Sequence, residues 1–283
     1  MLSASKTTAV PAPKTLDSKA ARAAVKVLRE RVKESCAILP SVPDKHNGDD
    51  YKNAALNYAT EMATIRKRYA PDIFAAAKEI TELCKKEKEA KKDWTQNKEI
   101  LNLWHNLAKF VVERLSERAD VEKVGALLLS QNGDLLFFET NRVPDGIEKQ
   151  GDYLVEKIRK TYGFCAEKNL FRRALKVHLR DRNHRNTYKR RWEILSVENL
   201  LYYLGKDIVA AGRKNRDIKN CYVLTTAPPC NSCQETIAAI RPKGVIAADR
   251  YLGFSRGEEM AKAESYFVKN KIRFISLRQI ECV

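Results

Sequence analysis

The chain contains no apolar run approaching the roughly 20 residues that span a bilayer, which excludes an integral helical membrane protein. It is short of acid: 36 Asp and Glu stand against 53 Lys and Arg, a net charge of +17. A deficit of that size favours anionic partners, such as nucleotides or nucleic acid, without choosing between them. The first 14 residues lack the compact apolar core of a secretory signal, and the seven cysteines are odd in number. A disulfide framework is therefore not expected, and a reducing, cytoplasmic setting is. No acid precedes Asp17, which is also compatible with an organelle-targeting segment. Internal repeats and low-complexity tracts are absent. A hydrophobic content of 44% excludes a disordered chain.

Residues 1–120 read as a helical N-terminal region. Val25, Leu28, Val32, Cys36 and Leu39 recur at three- and four-residue steps, and Pro40 stops the run. A second stripe runs from Leu56 to Tyr69. Pro71 suits the first turn of a third helix, and Ile100 to Leu115 marks a fourth. Nothing in this half gathers chemical groups, and His46 and His105 are isolated.

The pattern changes over 121–283. Val124–Leu129 and Leu135–Phe138 read as strands joined by the turn Gln131-Asn132-Gly133-Asp134, a hairpin signal. Residues 150–180 read as helical. Helices from Glu198, Cys233 and Glu258 then alternate with short buried strands at 222–225, 244–248 and 272–277. The order β-β-α-α-β-α-β-α-β predicts a layered α/β domain with crossover connections.

Charge concentrates in 171–191, where nine cations face Asp181 alone for a net +8. The segment reads either as a solvated face or as a phosphate-binding strip carrying Arg182, Arg185 and Arg190. Close by lies Pro228-Pro229-Cys230-Asn231-Ser232-Cys233, which follows a strand and opens a helix. Two thiols three residues apart at a helix start can hold one metal, because the exposed N–H groups favour thiolates. The same spacing serves redox chemistry. Two sulfurs alone make a poor zinc site, so a third ligand must come from elsewhere.

Upstream, Ser196-Val197-Glu198 also stands at a helix start. With Pro229-Cys230-x-x-Cys233 it resembles the zinc-dependent cytidine and deoxycytidylate deaminase superfamily, whose signature is H-x-E followed by P-C-x-x-C. Asn132-Gly133-Asp134 and Asn141-Arg142-Val143-Pro144-Asp145-Gly146 look most like the deoxycytidylate branch. The resemblance covers about 122–283. It implies a three-layer α/β/α fold, a Zn2+ ion on Cys230 and Cys233, Glu198 as the proton shuttle and Asn141 on the sugar. Where the family has histidine, this chain has Ser196, a poor zinc ligand and a good helix N-cap. His178 or His184 are the alternatives for the missing ligand. The implied activity is hydrolytic deamination of a cytosine-type nucleotide. Two other readings stand beside it: a degenerate deaminase fold that binds nucleic acid or a protein, and a cytosine deaminase acting on RNA or single-stranded DNA. The sequence does not set the oligomeric state and is compatible with a homo-oligomer.

Overall fold

The computed structural model describes residues 17–39, 48–116, 123–142, 165–177, 197–248 and 256–277. At its centre is a five-stranded sheet of order β2-β1-β3-β4-β5, formed by β1 (Gly125–Leu129), β2 (Leu135–Thr140), β3 (Tyr222–Thr225), β4 (Gly244–Ala248) and β5 (Arg273–Leu277). β1 runs antiparallel to both β2 and β3, while β3, β4 and β5 are parallel. The two parallel crossovers pass through the helices α6 (Asn231–Ile240) and α7 (Arg256–Lys269). These cover the sheet face formed by Ala126, Leu128, Val223 and Val245, together with α4 (Ala166–Ala174) and α5 (Val197–Lys214). This is the element order read from the sequence. Strands buried on both faces lack alternation, which is why their short apolar runs were legible.

The hairpin turn is held by Ser130, whose Oγ accepts from the amides of Asn132 and Asp134 and donates to Asp134 Oδ2 at 2.7 Å. Gly133 adopts φ +84°, and a Cβ there would fall 2.5 Å from Cys84 Sγ. Both constraints demand glycine.

The N-terminal helices α1 (Lys19–Ala37), α2 (Gly48–Glu89) and α3 (Lys98–Leu107) cover the opposite face. Val32, Met62, Ile80, Trp104 and Leu107 join Leu127, Leu129, Tyr222, Leu224 and Ile246 in one continuous core. The described helices of the N-terminal half therefore supply a further layer on this face of the sheet. The helix expected to begin at Pro71 is a continuation: α2 runs through that proline. Ile65, Tyr69, Ile73, Ala76 and Ile80 form one buried stripe across it. Packing of that stripe against α1 and α3 outweighs the cost of an internal proline, about 3 kcal/mol. The expected fourth helix is α3 with an altered end, passing into a π turn over 108–112 and a 3-10 turn over 113–115. Asn97 caps α3, its Oδ1 accepting from the amides of Glu99 and Ile100. Among the described residues, no helix is long and apolar enough to cross a membrane.

Candidate metal centre and active site

Two helices open side by side, each on a cysteine. Cys165 is the N-cap of α4 and Cys230 the N-cap of α6, with Cys233 in the first turn of α6. The sequence dictates this locally. Pro228 and Pro229 hold the chain extended after β3, and the Cys230 carbonyl accepts from the amides of Cys233 and Gln234 at 2.8 and 2.9 Å. Gln234 reaches back to the Pro229 carbonyl at 2.8 Å, and Lys168 of α4 donates to Ser232 Oγ of α6 at 2.6 Å. The helices are thereby tied together at the ends that carry the sulfurs.

The three Sγ atoms lie within 4.8 Å of one another, and Cys165 and Cys230 are 3.7 Å apart. A tetrahedral site with Zn–S bonds of about 2.3 Å has sulfur–sulfur edges of about 3.8 Å. The donor set thus fits zinc, with three thiolates and room for a fourth, exchangeable ligand. Burial is graded: Cys233 is buried, Cys165 half-buried and Cys230 exposed. Hydrogen bonds from the Cys165 and Cys233 thiols, with help from Lys168, hold Cys230 far below an ordinary thiol. The hydrogen bond to Cys230, with burial, pushes Cys165 up, and hydrogen bonds to Cys165 and Cys230, with burial, push Cys233 up.

Glu167, in the first turn of α4, lies beside the sulfurs. Its Oε2 accepts from Cys233 Sγ at 3.5 Å, and its side chain is almost wholly buried. Burial first, and then the charge of Cys230, push its carboxyl up to about 7. A carboxyl poised there can both take and give a proton near neutral pH. Cys165, Glu167, Cys230, Gln234 and Asn141 all border one cavity of about 600 Å³.

Asn141 follows β2 and is buried. Its Oδ1 accepts from Ser116 Oγ at 2.8 Å and from the Val124 amide at 3.0 Å. Just beyond it, Arg142 grips Glu139 through Nε and a second guanidinium nitrogen at 2.9 and 3.2 Å. Arg173 of α4 reaches the same carboxylate at 3.2 Å. Glu139 is fully buried. Burial acts to raise its pKa, but Arg142, Arg66 and Arg173 together outweigh burial and hold it below the ordinary carboxylate range. This ion cluster ties the helix that carries Cys165 and Glu167 to the strand end that carries Asn141.

Of the residues expected from sequence, Cys230 and Asn141 border this cavity, and the buried Cys233 lies against the Cys230 and Cys165 sulfurs. Ser196, His178, His184, Arg182, Arg185 and Arg190 lie outside the described residues. So does the side chain of Glu198, whose backbone sits in the first turn of α5. Beside the Cys230–Cys233 pair the structure places a third sulfur, Cys165, which could complete a metal site, and a carboxylate, Glu167. Cys165-Ala166-Glu167 has the spacing of the H-x-E signature with cysteine in place of histidine, a substitution a thiolate readily supports. That motif was the available signal. Within the basic segment, Arg172 is buried, and Arg173 is exposed but engaged with Glu139.

Residues 99–249, more than half of the chain, match the model of the cytidine and deoxycytidylate deaminase zinc-binding region. No curated protein matches the chain.

Proposed function

Because the chain belongs to the cytidine and deoxycytidylate deaminase family, we propose that it is a hydrolytic deaminase of a free cytosine nucleotide of the CMP or dCMP type, with Glu167 as its proton carrier. The observation that carries this reading is a cluster of three thiols with one buried carboxylate against it, opening through Cys165, Cys230 and Glu167 on a single cavity. Cys165, Cys230 and Cys233 would hold zinc, which when bound supplies Lewis-acid activation of water. Glu167 takes a proton from the attacking water and delivers protons to N3 of the base and to the amino nitrogen leaving C4. The balanced outcome is exchange of the amino group for oxygen, with release of ammonia. Asn141 offers N–H groups to a sugar oxygen, as the matching family residue does. Arg182, Arg185 and Arg190 would meet the phosphate.

The degenerate alternative drew on the missing histidine at 196, on the +17 charge and on the helical extension. A third sulfur at Cys165 removes the first of these motives and favours a working site. The basic segment favours polynucleotide as a second substrate class, and one experiment covers both. Zinc content is measured on the purified protein, and ammonia release is followed with dCMP, CMP and a cytosine-containing oligonucleotide. The expected result is one zinc per chain and turnover of a mononucleotide. Glu167→Gln should cost about 10²–10⁴-fold in kcat with zinc retained, and Glu198→Gln should stay close to the parent. The reverse order would return the proton to Glu198. Turnover confined to the oligonucleotide would replace the free-nucleotide reading.

A further inference from the structure

We propose that Ser116 is a positioning residue of this site, through which the N-terminal helices fix the amide of Asn141 toward the substrate; the inference rests on the deaminase reading above. The orientation of Asn141 is settled by chemistry. Its Oδ1 stands 3.0 Å from the amide nitrogen of Val124. A backbone N–H donates only, so the flipped side chain would set donor against donor. The side-chain oxygen is therefore held on the protein side, Asn141 borders the cavity, and on the proposed reading its side-chain N–H is what faces substrate. The substrate group that meets it is an acceptor oxygen.

The second hydrogen bond to Oδ1 comes from another part of the chain. Ser116 Oγ lies 2.8 Å from Asn141 Oδ1 and 2.9 Å from the Asn141 carbonyl oxygen. Both are acceptors, so its one hydroxyl hydrogen is shared between the side-chain and main-chain oxygens of Asn141. Ser116 is completely buried. It closes the π and 3-10 turns that end the helical region, and these turns rest directly on the start of β1. A Cβ at Gly125 would fall 2.7 Å from the Ala108 carbonyl oxygen and 3.0 Å from the Glu113 nitrogen. Only glycine permits that approach, and the approach is what brings Ser116 to Asn141. The irregular end of α3 therefore has a use: it places one hydroxyl behind the substrate-facing amide.

The test uses the full-length, zinc-loaded chain carrying Ser116→Ala, Ser116→Thr, Asn141→Ala, or Ser116→Ala with Asn141→Ala. With dCMP, Ser116→Ala should lower kcat/KM about tenfold, the worth of one buried hydrogen bond, mostly through KM and with zinc content unchanged. Ser116→Thr, which keeps the hydroxyl, should recover most of the loss. In the Asn141→Ala background, Ser116→Ala should add nothing. A loss of equal size in both backgrounds, or kcat/KM within twofold of the parent, overturns the proposal. A separate readout is the side-chain NH2 pair of Asn141 in ¹⁵N-labelled protein, identified by its absence from Asn141→Ala. Ser116→Ala should shift this pair and speed its exchange. Should the parent fail to deaminate dCMP, the substrate reading fails, but the resonance still decides the link. An unmoved signal overturns it, and a shifted one upholds Ser116 as the anchor of Asn141.

Discussion

Replacing Glu139 by Gln tests whether the buried ion cluster holds the site together. Glutamine matches glutamate in shape, so no cavity opens and the effect is electrostatic. The carboxylate has no exposure, and Arg142 is only 5% exposed, so solvent cannot screen the charge that remains. Attraction between unit charges about 4 Å apart is about 4 kcal/mol at an effective dielectric of 20. Removing one partner of a buried pair typically costs about 3–5 kcal/mol, and the same range is expected here. For a chain of this size that is a fall of about 5–8 °C in Tm. The pH dependence fixes the sign. The Glu139 carboxyl is held below its ordinary 4.5 by the arginines acting together against burial. Its contribution is therefore complete above the unfolded-state value and is lost as pH falls through the folded-state value. Urea denaturation of parent and variant at several pH values should show a gap of about 3–5 kcal/mol at pH 7 that closes on acidification. A gap below about 1 kcal/mol at pH 7, the size of an exposed pair, would refute the reasoning. So would a gap that persists unchanged in acid.

Two further outcomes follow from the geometry. Cys165→Ser should weaken zinc binding by at least about 100-fold, beyond the usual loss for a group one shell further out. Competition with a chelator measures this, and a protein that tolerates Cys165→Ser but loses zinc on Ser196→Ala would contradict the three-sulfur site. Gly125→Ala should destabilise the chain by about 1–3 kcal/mol through overpacking against the turn before Ser116, read from the denaturation midpoint; an unchanged midpoint would show that the turn yields freely.

The sheet and its helices were legible because each local signal agreed with the global fold: the Asn-Gly hairpin, the short apolar strands and the helix after Pro228-Pro229. Pro71 misled because an internal proline breaks a helix only where packing cannot outweigh it, and packing is a long-range quantity. Of the site, the Cys230–Cys233 pair declared itself by spacing. Cys165 did so only through Cys165-Ala166-Glu167, a ligand-x-Glu spacing that a search for histidine passes over. Its neighbour Glu167 repeats the spacing of Ser196 and Glu198, and ligand chemistry separates the two pairs. A thiolate binds zinc well and a serine hydroxyl does not. Asn141 was legible as a type of residue, but its orientation depends on Ser116 and Val124, which no motif names.

The shared core beneath the sheet also bears on how this protein can be cut and rejoined. The family match begins at residue 99, inside the region that supplies the underlying helices. Severed at residue 120, the sheet would present Leu127, Leu129, Phe138, Tyr222, Leu224 and Ile246 to water as one bare apolar face. Faces of that kind recruit one another. The chemistry is therefore not a portable cassette. Transplanting it onto another scaffold means carrying α1, α2 and α3 along, and sequence drift in those helices is constrained by a site that most of them never touch.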